Sequence, residues 1–286
     1  MINLAVIPVA GRGIDLLPLT KSQPKEMLPV GNKPIVQHVA EELVDNGVNR
    51  LLFVTGAGKA AIENHFDEDP ELVRYLRYNG KEDLLNTLAF ERGIARYFYI
   101  RQRRQLGLGH AVLCSEPVVQ DQNFIVALGD TIVGLHHRAT IIRRMVERFE
   151  KENGNVKAVI AFDKIPREDV VGYGIAATSS PEADCFELED LIEKPTVEEA
   201  PSSLAVAARY VFTPDIFDCL AQTGPGINGN IQLTDAIRIL IRSGHRVLGM
   251  HLTPQETRYD IGSIKSYYHA MYDAITGDCA IPKESQ

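Results

Sequence analysis

Residues 6–30, VIPVAGRGIDLLPLTKSQPKEMLPV, set a Gly-x-Gly turn after an apolar run and then a proline-flanked lysine, Lys25. Glycines at 11 and 13 leave the backbone N–H groups bare enough to approach an anion, and a lysine brings the positive charge that phosphate attracts. Against that chemistry stands Asp15, two residues past the second glycine. Two further aspartates are placed for work: Asp130 closes the apolar run NFIVALGD, and Asp260 closes ETRYD before Ile261 and Gly262. Either one alone reads as a turn or helix-cap aspartate. Brought together, they offer the hard oxygen ligands that Mg2+ takes alongside substrate phosphates.

The glycine turn fits neither common nucleotide fingerprint. A GxGxxG dinucleotide loop needs glycine at 16, where the chain has Leu16. A Walker A loop fails as well, because Gly58 and Lys59 are followed by Ala60. His110, at the opening of an expected helix, reads as a structural histidine rather than a base.

These residues must be positioned by alternating strands and helices. Apolar runs predict strands at 4–9, 50–55, 97–100, 123–128 and 156–162, and apolar spacing predicts helices at 34–45 and 139–150. The alternation implies βαβ crossovers and a mostly parallel sheet, with ligands outside the carboxyl ends of the strands. After about residue 165 the texture changes to short strands (174–177, 186–188, 204–211) among loops, with helices expected at 215–221, 234–243 and 264–275. We read one domain over 1–286: 1–165 mainly nucleotide-binding, 166–276 a smaller antiparallel lobe that closes over a substrate, and 277–286 a loose tail.

Composition narrows the function classes. At 45% hydrophobic and 24% charged residues, the chain is globular with a sizeable core. A formal charge of −8 argues against a nucleic-acid or anionic-membrane surface, though not against a local basic pocket. Cys114, Cys185, Cys219 and Cys279 show no metal-type spacing and read as thiols in a reducing compartment. MINLAVIPVA lacks a basic start, so it reads as a first strand, and no run reaches the roughly 18 apolar residues of a membrane span. The expected location is the cytoplasm.

Motifs along the chain make the reading specific. PVAGRGIDLLPLTKSQPKEMLPVGNKPIVQH resembles the signature of the bacterial sugar-nucleotide pyrophosphorylases, and most closely the branch that uses UTP and glucose-1-phosphate. QLGLGHAVLCSEPVV, ALGDTIV, VGYGIA, LIEKPT, ARYVFTPDIFDCL, NIQLTDAI and YDIG follow in the family's order, so the resemblance spans nearly the whole chain. It implies a Rossmann-like, glycosyltransferase-A-like α/β fold and Mg2+-dependent nucleotidyl transfer, in which a sugar-1-phosphate oxygen attacks the α-phosphorus of a nucleoside triphosphate. That chemistry needs cations, backbone donors and in-line positioning more than an acid or base.

By the same resemblance, Ala10, Gly11, Gly13, Lys25, Glu26, Gln102 and Gly107 bind the nucleotide. Gly174, Glu193 and Lys194 hold the sugar and its phosphate, and Lys25, Asp130 and Lys194 act at the reacting centre. Asp130 and Asp260 hold Mg2+, and Tyr173 and Arg209 support the fold. UTP and glucose-1-phosphate are the implied substrates, with a dTTP- or other-sugar-specific relative as a lesser alternative. The family commonly forms homodimers or homotetramers.

The chain departs from the pattern where its charge matters most. The family usually reads Gly-x-Gly-Thr-Arg, and here Ile14 and Asp15 replace the last two residues. Three consequences are open: Asp15 turns outward while Arg12 supplies the charge, Asp15 helps hold a further Mg2+, or the chain is a weakly active or non-catalytic regulatory paralogue. Leu106 replaces a usual lysine, Ala208 a usual glycine, and Gly229-Asn230 a usual acidic pair.

Overall fold

The computed structural model describes residues 2–278. Its centre is a ten-stranded sheet whose main path runs Cys185–Glu187, Val247–His251, Ala158–Lys164, Leu204–Phe212, Phe124–Ala127, Leu4–Pro8, Arg50–Thr55 and Arg96–Arg101. Leu4–Pro8 pairs in parallel with Arg50–Thr55 and Phe124–Ala127, and Arg50–Thr55 with Arg96–Arg101. The fold is therefore the expected α/β class with a mostly parallel sheet. Covered on both faces, these strands read as continuous apolar runs instead of alternating ones.

Successive side chains feed opposite cores. Ala5, Ile7, Leu51 and Phe53 join the helices Ile35–Asp45 and Ile141–Lys151 on one face. Leu4, Val6, Leu52 and Val54 meet Leu108–Leu113, Asp215–Gln222 and Leu233–Arg242 on the other. The helices expected at 34–45, 139–150, 215–221 and 234–243 stand within two residues of those bounds.

The second half does not stand apart from this sheet. Leu204–Phe212 lies antiparallel between Phe124–Ala127 and Ala158–Lys164, with a register shift between Val206 and Tyr210. Val247–His251 then adds in parallel beyond Ala158–Lys164. The antiparallel hairpin Gly174–Ala177 with Asp190–Glu193 branches off through Ala205 and Ile175. A separate ladder pairs Thr131–Val133 with Arg258–Asp260, backed by Leu16, Leu28, Tyr259 and the final helix, Ile264–Asp278.

Of the tail expected at 277–286, Gly277 and Asp278 are helical, and 279–286, including Cys279, lie outside the described residues. Cys114, Cys185 and Cys219 are free thiols. Among the described residues no helix is long and apolar enough to cross a membrane.

Candidate active site

Two parallel strands end side by side. Leu4–Pro8 runs into Val9–Gly11, and Phe124–Ala127 into Leu128–Asp130, so both segments emerge at the carboxyl edge of the sheet. Gly13 takes a left-handed φ of +65°, which reverses the chain, and the Thr20 hydroxyl donates to its carbonyl (2.6 Å). A side chain at 13 would press on Lys25 Cβ at 3.0 Å, so glycine is required there twice over. Ile14–Leu16 form one tight turn, with Leu16 buried and Ile14 and Asp15 exposed.

Beneath the loop, Pro24 starts a single turn, Lys25–Met27, that holds Lys25 against the sheet edge. Its ammonium donates to Asp130 Oδ2. Burial works to lower the pKa of Lys25, but the carboxylates of Asp130, Glu26 and Asp260 outweigh it and hold the ammonium above the usual lysine range. Burial likewise presses Asp130 upward, yet Lys25 keeps it below the ordinary aspartate value. Glu26 is buried against Lys59 (2.7 Å), so it anchors the turn from behind.

Asp260 reaches the same place from the far end of the chain. It pairs with Thr131 across the short ladder, and the Ile261 N–H donates to the Asp130 carbonyl (3.0 Å). Burial, and then the charge of Asp130, raise the pKa of Asp260. Asp130 and Asp260 thus crowd each other, with Lys25 holding Asp130 while Arg258 and then Lys25 temper the charge of Asp260. Among the described residues no group of three or more His, Cys, Asp or Glu side chains is placed to hold a metal ion by itself. A carboxylate pair nonetheless fits an ion that draws its remaining oxygens from substrate phosphates.

Asp130 also stands in the wall between two cavities. The first, about 490 Å3, is lined by Ala10, Gly11, Gly13, Lys25, Glu26, Gln102 and Gly107, every residue assigned to the nucleotide, and also by Asp15 and Asn230. Gln102 is buried; its amide donates to the Gly107 carbonyl (3.0 Å) and to His110 Nδ1 (2.9 Å). Gly107 has φ +102°, and a Cβ there would sit 2.7 Å from the Ile231 carbonyl oxygen, so the segment admits no side chain.

The second cavity, about 220 Å3, is lined by Gly174, Glu193, Tyr173, Asp130, Asp260 and Arg258. Thr234 donates to Glu193 (2.7 Å), while Arg258 stacks on Tyr173 (4.3 Å) and reaches Asp163 (3.3 Å). Lys194 is exposed, in a left-handed conformation at φ +46°, and is not among the residues lining this cavity. Arg209 is fully buried: it grips Glu42 (2.6 Å) and donates to the Thr131 carbonyl (2.8 Å), one residue from Asp130.

Sequence reasoning passed over Gln105, Thr234 and Arg258. Gln105 accepts from Arg12 Nε (2.7 Å) and donates to the Ala10 carbonyl (2.6 Å), fastening the loop. Arg258 had a signal: in a strand, residues two apart share a face, and Asp260 is two residues on.

The nucleotidyl transferase family model matches residues 4–277. A protein of Methanocaldococcus jannaschii, provisionally named a UTP–glucose-1-phosphate uridylyltransferase, is 44% identical over 94% of this chain and 92% of its own. The Bacillus subtilis UTP–glucose-1-phosphate uridylyltransferase YngB is 42% identical over 91% of this chain and 85% of its own. Among solved structures, a UTP-bound UGPase from Acinetobacter baumannii superposes with a TM-score of 0.84 at 36% identity, covering 95% of this chain and 93% of that one. A UDP-glucose pyrophosphorylase complexed with UDP-glucose gives 0.86 at 33%, covering 97% and 100%.

Proposed function

The chain belongs to the nucleotidyl transferase family, and from that premise we propose that it makes UDP-glucose and pyrophosphate from UTP and glucose-1-phosphate. A 1-phosphate oxygen of the sugar phosphate forms a bond to the α-phosphorus of UTP. The bond from that phosphorus to the oxygen bridging to the β-phosphate breaks, and its electron pair leaves with pyrophosphate.

The observation that carries this reading is the meeting of Lys25, Asp130 and Asp260 at the wall shared by the two cavities. Each protein group then has a task that the chemistry requires. Lys25, fixed by Asp130, presents a permanent cation beside the phosphoryl group in transfer. Gly11 and Gly13 present backbone N–H groups to the phosphates, while Gln102 and Gly107 shape the wall for the base. Glu193, oriented by Thr234, accepts from sugar hydroxyls above Gly174. Lys194, on its left-handed turn beside the cavity, serves the sugar phosphate. Asp130 and Asp260 would hold Mg2+, which supplies charge neutralisation between two polyanions.

A non-catalytic role is not favoured, because the lysine and both carboxylates are kept and electrostatically engaged. Pyrophosphate release from UTP, glucose-1-phosphate and Mg2+ tests the proposal. Lys25→Ala should lower kcat by about 10³-fold or more, in the range seen when a cation is removed from phosphoryl transfer. Parental turnover no higher than that of this variant would sink the enzyme reading.

A further inference from the structure

A larger cavity, about 930 Å3, lies across the glycine loop and shares Gly11, Arg12, Ile14, Gln102 and Gln105 with the nucleotide cavity. In a chain of formal charge −8, five cations line it (Arg12, Lys21, Lys59, Arg103 and Arg104) and no carboxylate does. Lys59 is answered by Glu26. The other four form no ion pair among the described residues. The opposite end of the loop is negative: Asp15 is exposed, lines the nucleotide cavity and has no ion-pair partner among the described residues. A phosphate running past Asp15 would meet repulsion from its carboxylate.

We propose that Arg12, held by Gln105, carries the β- and γ-phosphates of UTP, and then pyrophosphate, across the glycine loop into this cationic cavity. Gln105 engages only Nε of Arg12, while its own amide is anchored on the Ala10 carbonyl. Both Nη groups keep their donors for a phosphate, the paired geometry at which arginine excels. The loop charge that position 15 does not supply is therefore supplied from position 12, on the side away from Asp15. Arg103 and Arg104 deepen the potential beyond it. This assignment rests on the UTP-dependent reading above; Gln105 is a positioning residue and Arg12 a phosphate ligand.

Pyrophosphorolysis of UDP-glucose reads the site directly. Arg12→Gln should raise the KM for pyrophosphate about tenfold to a hundredfold, the cost of a lost charged hydrogen bond, and leave the KM for UDP-glucose within about twofold. Gln105→Ala should shift the pyrophosphate KM the same way but less, and adding Asp15→Arg to Arg12→Gln should restore most of it. Arg12 is exposed, so thermal melting of its variant should be unchanged. An unaltered pyrophosphate KM in Arg12→Gln would overturn the assignment. If the parent does not turn over at all, the functional reading fails separately, and calorimetry with inorganic pyrophosphate decides the site. Binding by the parent that weakens in Arg12→Gln supports the assignment, and equal binding or none by both overturns it.

Discussion

The two cavities that meet at Asp130 are walled in different ways. The nucleotide side is mostly loops, Gly11–Asp15, Gln102–Gly107 and Asn230, tied by single hydrogen bonds from Thr20, Gln102 and Gln105 to backbone carbonyls, with one buried ion pair, Lys59 on Glu26, behind the Lys25 turn. The sugar side is made largely of strand ends and the start of the helix Leu233–Arg242; it is supported by the ion pairs of Arg209 with Glu42 and Arg258 with Asp163, and by the Thr234 hydroxyl on Glu193. An exposed loop such as Gly11–Asp15 can change its charges at little cost to stability, because they stay in water. A wall of strand ends has no such freedom, since each charge there was taken from water on the condition that its partner be present.

The largest effect expected from this contrast is at Arg209. Arg209→Met leaves Glu42 buried without its partner, and denaturant unfolding should show a loss of about 3–5 kcal/mol. The double change Glu42→Leu with Arg209→Met should recover most of that loss, because replacing a buried pair by apolar groups is often neutral. Arg12→Gln, on the loop wall, should leave the unfolding midpoint where it was. A single Arg209 variant as stable as the parent would show that the ion pair supports nothing.

The same contrast explains what could be read in advance. Strands at 4–8, 50–55 and 124–127 were legible because a run buried on both faces is apolar throughout, and their parallel order follows from the intervening helices. The insertion of Leu204–Phe212 between Phe124–Ala127 and Ala158–Lys164 was not legible, because strand order is decided by long-range pairing that leaves no local pattern. Thr131–Val133 and Arg258–Asp260 are too short to show a period, and Val247–His251 carries a glycine in its middle. Asp130, Asp260 and Lys25, which the structure brings together, stand out in the sequence through their motifs. The Gln105 clamp does not, because its acceptor is a backbone carbonyl 95 residues away that any sequence would supply.

A smaller effect separates the two aspartates. Asp130 has its pKa lowered by Lys25 against the opposing push of burial, so its share of stability is present above the unfolded value and lost as pH falls through the folded one. Asp260 is raised by burial and by Asp130, so its sign is reversed: stability is full below the unfolded pKa and declines as pH rises through the folded one. In the absence of divalent ions, Asp260→Asn should therefore melt above the parent, with the gap widening from the ordinary aspartate range upward. Activity should meanwhile be lost, a trade of stability for function. A variant that melts below the parent throughout that window would mean that Asp260 is stabilised as a carboxylate by the protein alone.

The smallest expected effect is at Ala208, where the strand wall departs from regular geometry. Ala208 has φ +60°, lies in the register shift between Val206 and Tyr210, and offers its carbonyl to the Leu128 N–H (3.1 Å) and to Arg209 (3.0 Å). An alanine in this conformation crowds its Cβ against the next carbonyl, at a cost of about 1–2 kcal/mol. Ala208→Gly removes that strain but adds freedom to the unfolded chain, which takes back about 0.4–1 kcal/mol. The net expectation is a gain of about 0.5 kcal/mol, visible as a small rise in melting temperature. Because Ala208 also lines the sugar cavity, the lost methyl should move the KM for glucose-1-phosphate by less than about twofold and leave that for UTP alone. A lower melting temperature would mean that the strand is held so firmly by Leu128 and Arg209 that the alanine already sits at its optimum, and that the sugar wall tolerates no softening even where its backbone is strained.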